Sequence, residues 1–309
     1  MSNKKNGNNG RTLAMCTEGL YQLFNPAAKG QPDLDSFMRI ADLIAEVGYN
    51  AIEVVAPCLS PDFLTERFRE EEAPKFRTEA EERGLRIIAM HWLLARVQGV
   101  HLTSSNLAVQ ENTRVAIKQL IRLAAALGCQ CVVHGSPAQR NLSGLVSHAD
   151  GMRIAANIYK NVMPNVKNLG VKVCFEQLSR NETDFITTPA DMMEIVQTVG
   201  HRHFVPHLDI KALYPACQTP EEVAYLIKRL FHDTHVSFGH CHVNDPTNMS
   251  GPGTGDWDLE PIFAALAEIG YTGPISVEIF DFTNRKDFDQ NAFLKVAKKS
   301  LACLHKNLR

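Results

Sequence analysis

Four side chains with metal-binding chemistry recur in the second half of the chain at nearly equal spacing. Glu176, Asp209, His242 and Glu278 are separated by 33, 33 and 36 residues, and each ends a short apolar run, "VCFE", "PHLD", "GHCH" or "ISVE". Taken singly, each is compatible with an ordinary polar strand end. Three carboxylates and an imidazole that share one dry cavity need a compensating cation, because burying unpaired charges is costly. Three oxygen donors and one nitrogen donor suit Mn²⁺, Mg²⁺ or Co²⁺, with Zn²⁺ also compatible, so the set predicts a divalent-metal site.

The elements that deliver these residues alternate along the chain between a period of two and a helical period. The β-like runs are "TLAMCT", "AIEVVA", "LRIIAMH", "CQCVVHG", "VKVCFEQ", "FVPHLD", "VSFGHCHV" and "ISVEIF". Amphipathic segments lie between them at 36–47, 105–127, 152–169, 221–231, 259–269 and 288–304. Glycine ends a helical segment just before a strand at Gly48, Gly84, Gly128, Gly170 and Gly270. This order predicts a parallel sheet with right-handed crossovers.

Eight such units predict a (β/α)8 TIM barrel, which we place at residues 11–309 as one domain. A doubly wound open sheet is the alternative, but the chain lacks the glycine-rich fingerprint of a dinucleotide fold, and "GPGTG" at 251–255 is typical of a flexible turn. In a barrel the C-terminal strand ends build the active site, so the four residues meet there. Strand alternation puts Glu176 on the same inward face as Cys174, and Glu278 on that of Ser276.

Composition excludes several classes of partner. The net charge is −2, so no basic footprint for nucleic acid or an anionic membrane is present. The polar stretch 1–10 predicts a disordered tail without a signal peptide, and no apolar run of membrane-spanning length occurs. Eight cysteines without a CxxC pair indicate reduced thiols and a cytoplasmic protein.

The stretches "FEQLSRNETDFITTP", "HLDIKA", "GHCHVNDP" and "ISVEIF" resemble the xylose-isomerase-like barrel superfamily of sugar isomerases and epimerases, especially the ketose 3-epimerases. The resemblance covers most of residues 12–300. It implies that Glu176, Asp209, His242 and Glu278 bind one divalent metal, and that Glu182, six residues after the first ligand, contacts the substrate. It also implies a dimer or tetramer.

Two positions depart from the epimerase pattern. Ala212 stands where these epimerases carry a substrate-binding histidine, and Asn248 stands where they carry an arginine. The metal chemistry is therefore better supported than a free ketose as the substrate. Lys211, His207 and His240 are the candidates for replacement contacts.

The resemblance implies a metal-dependent sugar isomerase or epimerase that works through a cis-enediolate, with Mn²⁺ as the first choice of metal. Glu176 or Glu278 would take a proton from one face of a carbon, and the other would return one to the opposite face. A lyase that cleaves 3-keto-glycosides or C-glycosides is the alternative, and a barrel that binds sugar without turnover is another. An abasic-site endonuclease is disfavoured by Ala212, by "NDPTNM" after the seventh strand and by the lack of basic charge.

Further polar and aromatic residues end predicted strands or lie in the loops that follow them. His91 and His134 are candidates for substrate hydrogen bonds or acid–base work, or else bond loop backbone. Trp257 is either an apolar wall for a sugar or part of the loop packing. Glu53 forms either a salt bridge in the barrel mouth or a substrate contact, and Arg140 is either a solvated loop charge or a contact for an anionic substrate group.

Overall fold

The protein forms a closed barrel of eight parallel strands in a computed structural model that describes residues 11–24, 33–142, 144, 146–283 and 289–308. The strand order follows the chain, and β1 pairs with β8 to close the barrel. The strands are β1 Leu13–Cys16, β2 Ala51–Val55, β3 Arg86–His91, β4 Cys131–His134, β5 Lys172–Phe175, β6 Phe204–Asp209, β7 His240–Val243 and β8 Ile275–Val277. Each lies within a predicted run, so the predicted (β/α)8 TIM barrel is confirmed. The predicted tail, residues 1–10, lies outside the described residues.

Longer helices follow the strands and cover the outside of the barrel. They are α1 Leu34–Val47, α2 Ala73–Glu82, α3 Leu107–Leu127, α4 His148–Val166, α5 Pro189–Val199, α6 Pro220–Thr234, α7 Glu260–Glu268 and α8 Gln290–Asn307. Short helical turns lie at Glu18–Leu20, Tyr21–Phe24, Ala56–Leu59, Phe68–Glu72, Pro137–Gln139, Lys167–Leu169, Ile210–Leu213 and Asp281–Thr283. In the described part of the chain, no helix combines the length and the apolar character that a membrane crossing needs.

Side-chain caps fix where the helices begin, and glycines fix where they end. Asp33 begins α1 by accepting a hydrogen bond from the Ser36 amide, and Thr188 and Thr219 begin α5 and α6 in the same way. The five glycines predicted to precede strands all have φ between +71° and +106°, which favours glycine. These stops confirm the repeated helix-to-strand unit.

The barrel interior has two layers of different chemistry. A lower layer of mostly small apolar side chains lies towards the strand beginnings and consists of Ala14, Ala51, Ile88, Ala89, Cys131, Val133 and Cys174. An upper layer of polar side chains lies above it and consists of Glu53, His91, His207, His240 and His242. The opposite faces of the strands, such as Val173 and Phe175 of β5, pack with the outer apolar core beneath the helices. The predicted inward direction of Cys174 is thereby confirmed.

Candidate active site

The predicted metal ligands lie together at the C-terminal ends of neighbouring strands. Asp209 ends β6 and pairs in register with His242 of β7, whereas Glu176 and Glu278 directly follow β5 and β8. All four are buried, with exposures between 1% and 6%. They fall into two pairs: His242 Nδ1 lies 3.2 Å from Glu278 Oε2, and Asp209 is the charged group that acts most strongly on Glu176.

The electrostatics differ between the two pairs. Burial, and then the charges of Asp209 and Glu278, raise the pKa of Glu176 well above its usual range. Burial also disfavours the charged form of Glu278, but the adjacent His242 keeps its pKa below the ordinary value. The pKa of His242 is raised despite burial, because Glu53 and Glu278 both face it. The cluster therefore concentrates negative charge that only partly finds a cation within the protein.

The donor set fits a divalent cation. Asp209 Oδ2 is buried and accepts no hydrogen bond from any described residue, and His242 Nδ1 has no aligned hydrogen-bond partner there. Hard oxygen donors with a single imidazole are the ligands that such an ion takes. No three of the four predicted ligands have ligand atoms within 4.8 Å of one another in the part of the chain described. The triplets that do are Cys16–Glu53–His242 and Cys16–Glu18–His91.

Glu53 connects two histidines of the upper layer, His240 and His242. It is fully buried, and its carboxylate accepts hydrogen bonds from His240 Nε2 at 2.7 Å and from His242 Nε2 at 2.9 Å. Burial opposes its charge, but His242 and His240 hold the pKa of Glu53 well below its usual range. The bond to His242 Nε2 leaves Nδ1 of that ring directed towards Glu278. Glu53 therefore orients a predicted ligand, a role that its sequence position alone did not indicate.

His240 and His207 lie inside the barrel rather than in its mouth. His240 bonds Glu53 and lies 3.1 Å from the Ser276 hydroxyl, and it is fully buried. The His207 ring lies 4.4 Å from that of His242 between centroids, and neither of its nitrogens has a hydrogen-bond partner among the described residues. Burial lowers the pKa of both. This placement makes them supports beneath the site.

Glu182 and Lys211 form an ion pair at the edge of the cluster. Lys211 Nζ lies 2.7 Å from Glu182 Oε1 and 4.3 Å from the Phe280 ring centroid. Glu182 Oε2 accepts hydrogen bonds from the amide and hydroxyl of Ser179. Burial opposes the charge of Lys211, but surrounding carboxylates, first Asp209 and then Glu278, raise its pKa. Lys211 thus places a cation beside the four predicted ligands.

His134 points away from the barrel interior. Cys131 and Val133 face inwards, so alternation turns His134 outwards, where its Nδ1 bonds the Tyr159 hydroxyl of α4. Burial, and then the charge of Arg140, lower the pKa of His134 to about 3. The parity of β4 in the sequence was the available signal for this direction.

Arg140 is not a solvated loop charge. It is fully buried, and its guanidinium donates to the backbone carbonyls of Glu176 at 2.7 Å and Ile186 at 3.0 Å. It also lies over the Phe175 ring, 5.3 Å from the centroid. Arg140 therefore positions the chain at the end of β5, and with it Glu176, instead of meeting a substrate anion.

Asp245 organises the loop after β7. Its carboxylate accepts hydrogen bonds from the amides of Thr247, Gly255 and Trp257. A Cβ at Gly255 would lie 2.6 Å from that carboxylate, which explains the glycine. Trp257 is 8% exposed and packs against Tyr214, so its ring is part of the loop packing.

The two positions that depart from the epimerase pattern offer no replacement side chain. The Ala212 backbone carbonyl accepts a hydrogen bond from the side-chain Nε2 of Gln177. Asn248 is used within its own loop, where it accepts from the Ser250 amide and donates to the Thr254 hydroxyl. Lys211 directly precedes Ala212 and is a charged group that faces the cluster.

Fold and site together define a (β/α)8 barrel with an acid-rich cluster at the C-terminal strand ends. The chain belongs to the family described as xylose isomerase-like TIM barrel, whose model matches residues 41–305. No curated protein matches the chain at a significant level by sequence.

Solved structures match the barrel over nearly its whole length at low identity. An L-ribulose 3-epimerase is 19% identical with a TM-score of 0.77, covering 96% of this chain and 94% of that one. A 3-keto-D-glucoside 4-epimerase from E. coli is 16% identical with a TM-score of 0.71, covering 96% and 99%. The IOLI protein, described with a binding zinc atom, is 17% identical with a TM-score of 0.68, covering 96% and 99%. These matches establish the fold.

Proposed function

We propose that the protein is a divalent-metal-dependent sugar isomerase or epimerase that moves a proton at a carbon next to a carbonyl. The observation that carries the proposal is the buried cluster of Glu176, Asp209, His242 and Glu278 at the end of the barrel where this fold builds active sites. Neighbours named as epimerases of a ketose and of a keto-glucoside support the same reaction class. Mn²⁺ is the proposed metal, with Mg²⁺, Co²⁺ and Zn²⁺ as alternatives.

We propose different tasks for the four residues. A divalent cation held by the four ligands would supply Lewis-acid stabilisation of the negative charge that develops on adjacent substrate oxygens. Glu176 and Glu278 enter the cluster from β5 and β8, with Asp209 and His242 between them in strand order. Removing a proton from one face of a carbon and returning one to the opposite face requires two groups, and we assign Glu176 and Glu278 to these tasks.

The remaining predicted contacts divide into groups that face the cluster and groups that support it. Glu182 and Lys211 lie at its edge and are the proposed partners of substrate hydroxyl or carbonyl oxygens. His91 lies between Glu18 and Glu53 and next to Glu278. We therefore retain it as a candidate for a substrate contact. His134, His240 and Trp257 are proposed to support neighbouring residues and not to contact the substrate themselves. The dimer or tetramer and the cytoplasmic location stay predictions.

A lyase acting on a 3-keto-glycoside is the second candidate. The observation that favours it is Asn248, whose amide is engaged inside its own loop where ketose epimerases have a substrate-binding arginine. Ala212 likewise offers no side chain to a free ketose. The same acid–base pair would remove the proton next to the keto group, and the bond to the leaving group on the following carbon would then break.

The experiment that tests both candidates is proton NMR in D₂O. Metal-stripped protein is reloaded with Mn²⁺, and then with Mg²⁺ or Co²⁺ to limit broadening, before ketoses, aldoses and 3-keto-glycosides are added. Metal-dependent entry of deuterium next to the carbonyl is expected, and the product distinguishes an epimer, an isomer and an eliminated fragment. Absence of exchange with every sugar, from protein that holds metal, would reject the proposal.

The role of Glu278 is tested by Glu278→Gln, which keeps the volume of the side chain and removes its charge. If Glu278 moves a proton, turnover falls by about 10²–10⁴-fold while metal content falls far less. Glu46→Gln is the control, because Glu46 is exposed on α1 and pairs only with Lys298 in the described structure. Full metal and full turnover in Glu278→Gln would remove Glu278 from the mechanism.

A further inference from the structure

A second group of three ligand-type side chains, Cys16, Glu18 and His91, lies beside the four predicted metal ligands. Cys16 ends β1, Glu18 begins the helical turn after it, and His91 ends β3. Their ligand atoms lie within 4.8 Å of one another. Cys16 is 4% exposed and His91 is 1% exposed, so the group is enclosed. The sequence separations of these three residues do not match the interval of one strand–helix unit, and they meet because the barrel closes.

Two atoms of this group are buried without a hydrogen bond. Glu18 Oε2 and His91 Nε2 lie 3.2 Å apart as an ion pair that is not aligned as a hydrogen bond, and no described residue makes a hydrogen bond to either atom. Buried polar atoms are nearly always hydrogen-bonded, because a missing bond costs free energy. Both atoms are natural metal ligands, and Cys16 adds a thiol next to them.

His91 is oriented as a metal-binding histidine would be. Its Nδ1 lies 3.2 Å from Glu53 Oε1, which directs Nε2 towards Glu18. A carboxylate behind the far nitrogen of a metal-binding histidine is the usual supporting contact. The same Glu53 oxygen accepts from Nε2 of His242, so one carboxylate orients an imidazole of each group.

Glu278 connects the two groups. Its Oε2 lies 3.2 Å from His242 Nδ1, and its Oε1 lies 3.9 Å from His91 Nε2. A carboxylate with one oxygen facing each set of ligands is the arrangement of a bridging ligand. Glu278 Oε1 therefore supplies a fourth donor to the group of Cys16, Glu18 and His91.

We propose that Cys16, Glu18 and His91, with Glu278 Oε1, form a second metal site that takes a zinc-type ion. A thiolate, an imidazole and carboxylates are the ligands of Zn²⁺, whereas Mg²⁺ and Mn²⁺ avoid thiolates. Bond lengths of about 2.0–2.3 Å place neighbouring ligand atoms about 3.3–3.8 Å apart, close to the Glu18–His91 spacing. On binding, the Cys16 thiol loses its proton to solvent. The site does not depend on the proposed sugar chemistry.

The test is metal stoichiometry together with cobalt spectroscopy. Metal-stripped full-length protein is titrated with Zn²⁺, and bound metal is measured by mass spectrometry after desalting. Two equivalents per chain are expected. Titration with Co²⁺ is expected to give a near-ultraviolet charge-transfer absorption from a thiolate, as well as visible ligand-field bands.

Cys16→Ser should lose the charge-transfer absorption and one equivalent of Zn²⁺, whereas Cys303→Ser, on α8, should keep both. If Cys16→Ser fails to fold, Glu18→Gln keeps the thiol and should weaken the second equivalent by about tenfold or more. One equivalent and no thiolate absorption in the wild type would overturn the site, leaving an ion pair between Glu18 and a protonated His91. Absorption that persists in Cys16→Ser would overturn it too.

The outcome is separable from that of the proposed reaction. If the wild type binds one equivalent without thiolate absorption and still exchanges substrate protons in D₂O, the second site is rejected and the enzymatic proposal stands. If it binds two equivalents with thiolate absorption and exchanges no sugar protons, the second site stands and the enzymatic proposal is rejected.

Discussion

The lower and upper layers of the barrel interior are equally buried but chemically opposite. Every residue that defines either layer is at most 2% exposed. The lower layer holds mostly small apolar side chains, whereas the upper layer holds a carboxylate and four imidazoles. His91, His207, His240 and His242 each have at least one ring nitrogen that makes no hydrogen bond to a described residue. β2 and β3 contribute to both layers, so burial alone does not decide the chemistry. The lower layer supports the fold, and the upper layer tolerates incomplete pairing where the site is built.

Removing the charge at the centre of the upper layer should have the largest effect on stability. Glu53→Gln removes the charge and leaves one acceptor oxygen where His240 and His242 each bond one, so we expect the free energy of unfolding to fall by about 3–5 kcal/mol. Urea unfolding of the metal-free protein measures this. Glu46→Gln removes an exposed carboxylate paired with Lys298 at 3.4 Å and should change stability by less than about 1 kcal/mol. Equal effects in the two variants would show that the upper layer is not held by Glu53.

Overpacking the lower layer should destabilise the fold without changing the site. A Cβ at Gly239 would lie 2.4 Å from Val205 Cγ2 and 2.6 Å from Cys174 Sγ. Gly239→Ala should therefore lower the free energy of unfolding by about 1–3 kcal/mol, measured with urea. Metal affinity of the folded variant should match that of the wild type. A large loss of metal affinity at unchanged stability would contradict the division between the layers.

Gly135→Ala is the corresponding glycine substitution above the upper layer, and it should weaken metal binding and not stability. A Cβ at Gly135 would lie 1.9 Å from Glu176 Oε2, so Gly135→Ala must displace that carboxylate. The displaced group is the end of a flexible side chain, and we expect little change in stability but a loss of about 10–100-fold in divalent-metal affinity. A Co²⁺ or Mn²⁺ titration measures the affinity. Unchanged affinity would argue against Glu176 as a ligand.

The change expected to affect stability least at neutral pH is at His134, whose side chain lies outside the barrel wall. Its pKa is lowered to about 3 by burial and then by Arg140, whereas an unfolded histidine titrates near about 6.5. Below pH of about 6.5 the unfolded chain binds a proton that the folded protein does not, so stability falls by about 1.4 kcal/mol per pH unit towards pH of about 3.

His134→Gln should remove this slope relative to the wild type in urea unfolding measured at several pH values. Tyr159→Phe is the control, because it removes the hydrogen-bond partner of His134 and leaves the titrating ring in place. Parallel pH profiles of the wild type and His134→Gln would show that His134 is not held neutral.

Local pattern was enough to predict the barrel. Each strand is a short apolar run, and each of the five glycines predicted to end a helix has positive φ. The hydrophobic period and the glycine positions therefore both indicate the same repeated helix-to-strand unit. The convergence of Glu176, Asp209, His242 and Glu278 also followed from spacing, because successive parallel strands end at the same side. The metal itself stays a prediction of their chemistry.

The directions and hydrogen-bond partners of individual side chains were harder to predict from the sequence. Arg140 looked like a loop charge because its partners, the carbonyls of Glu176 and Ile186, are backbone atoms that any sequence supplies. Glu53 was ambiguous because its partners, His240 and His242, lie 187 and 189 residues away. His134 was predictable in principle from the alternation of β4.

The sequence by itself determined the strand and helix order, the barrel, and the end at which the acidic residues and His242 gather, because all of these depend on local period and spacing. The tertiary structure alone decided that Glu53 orients the histidines, that Arg140 is buried behind Glu176, and that Cys16, Glu18 and His91 meet beside Glu278. Closing the barrel brings β1, β2 and β3 against β7 and β8. Contacts across that closure have no signature in the spacing along the chain.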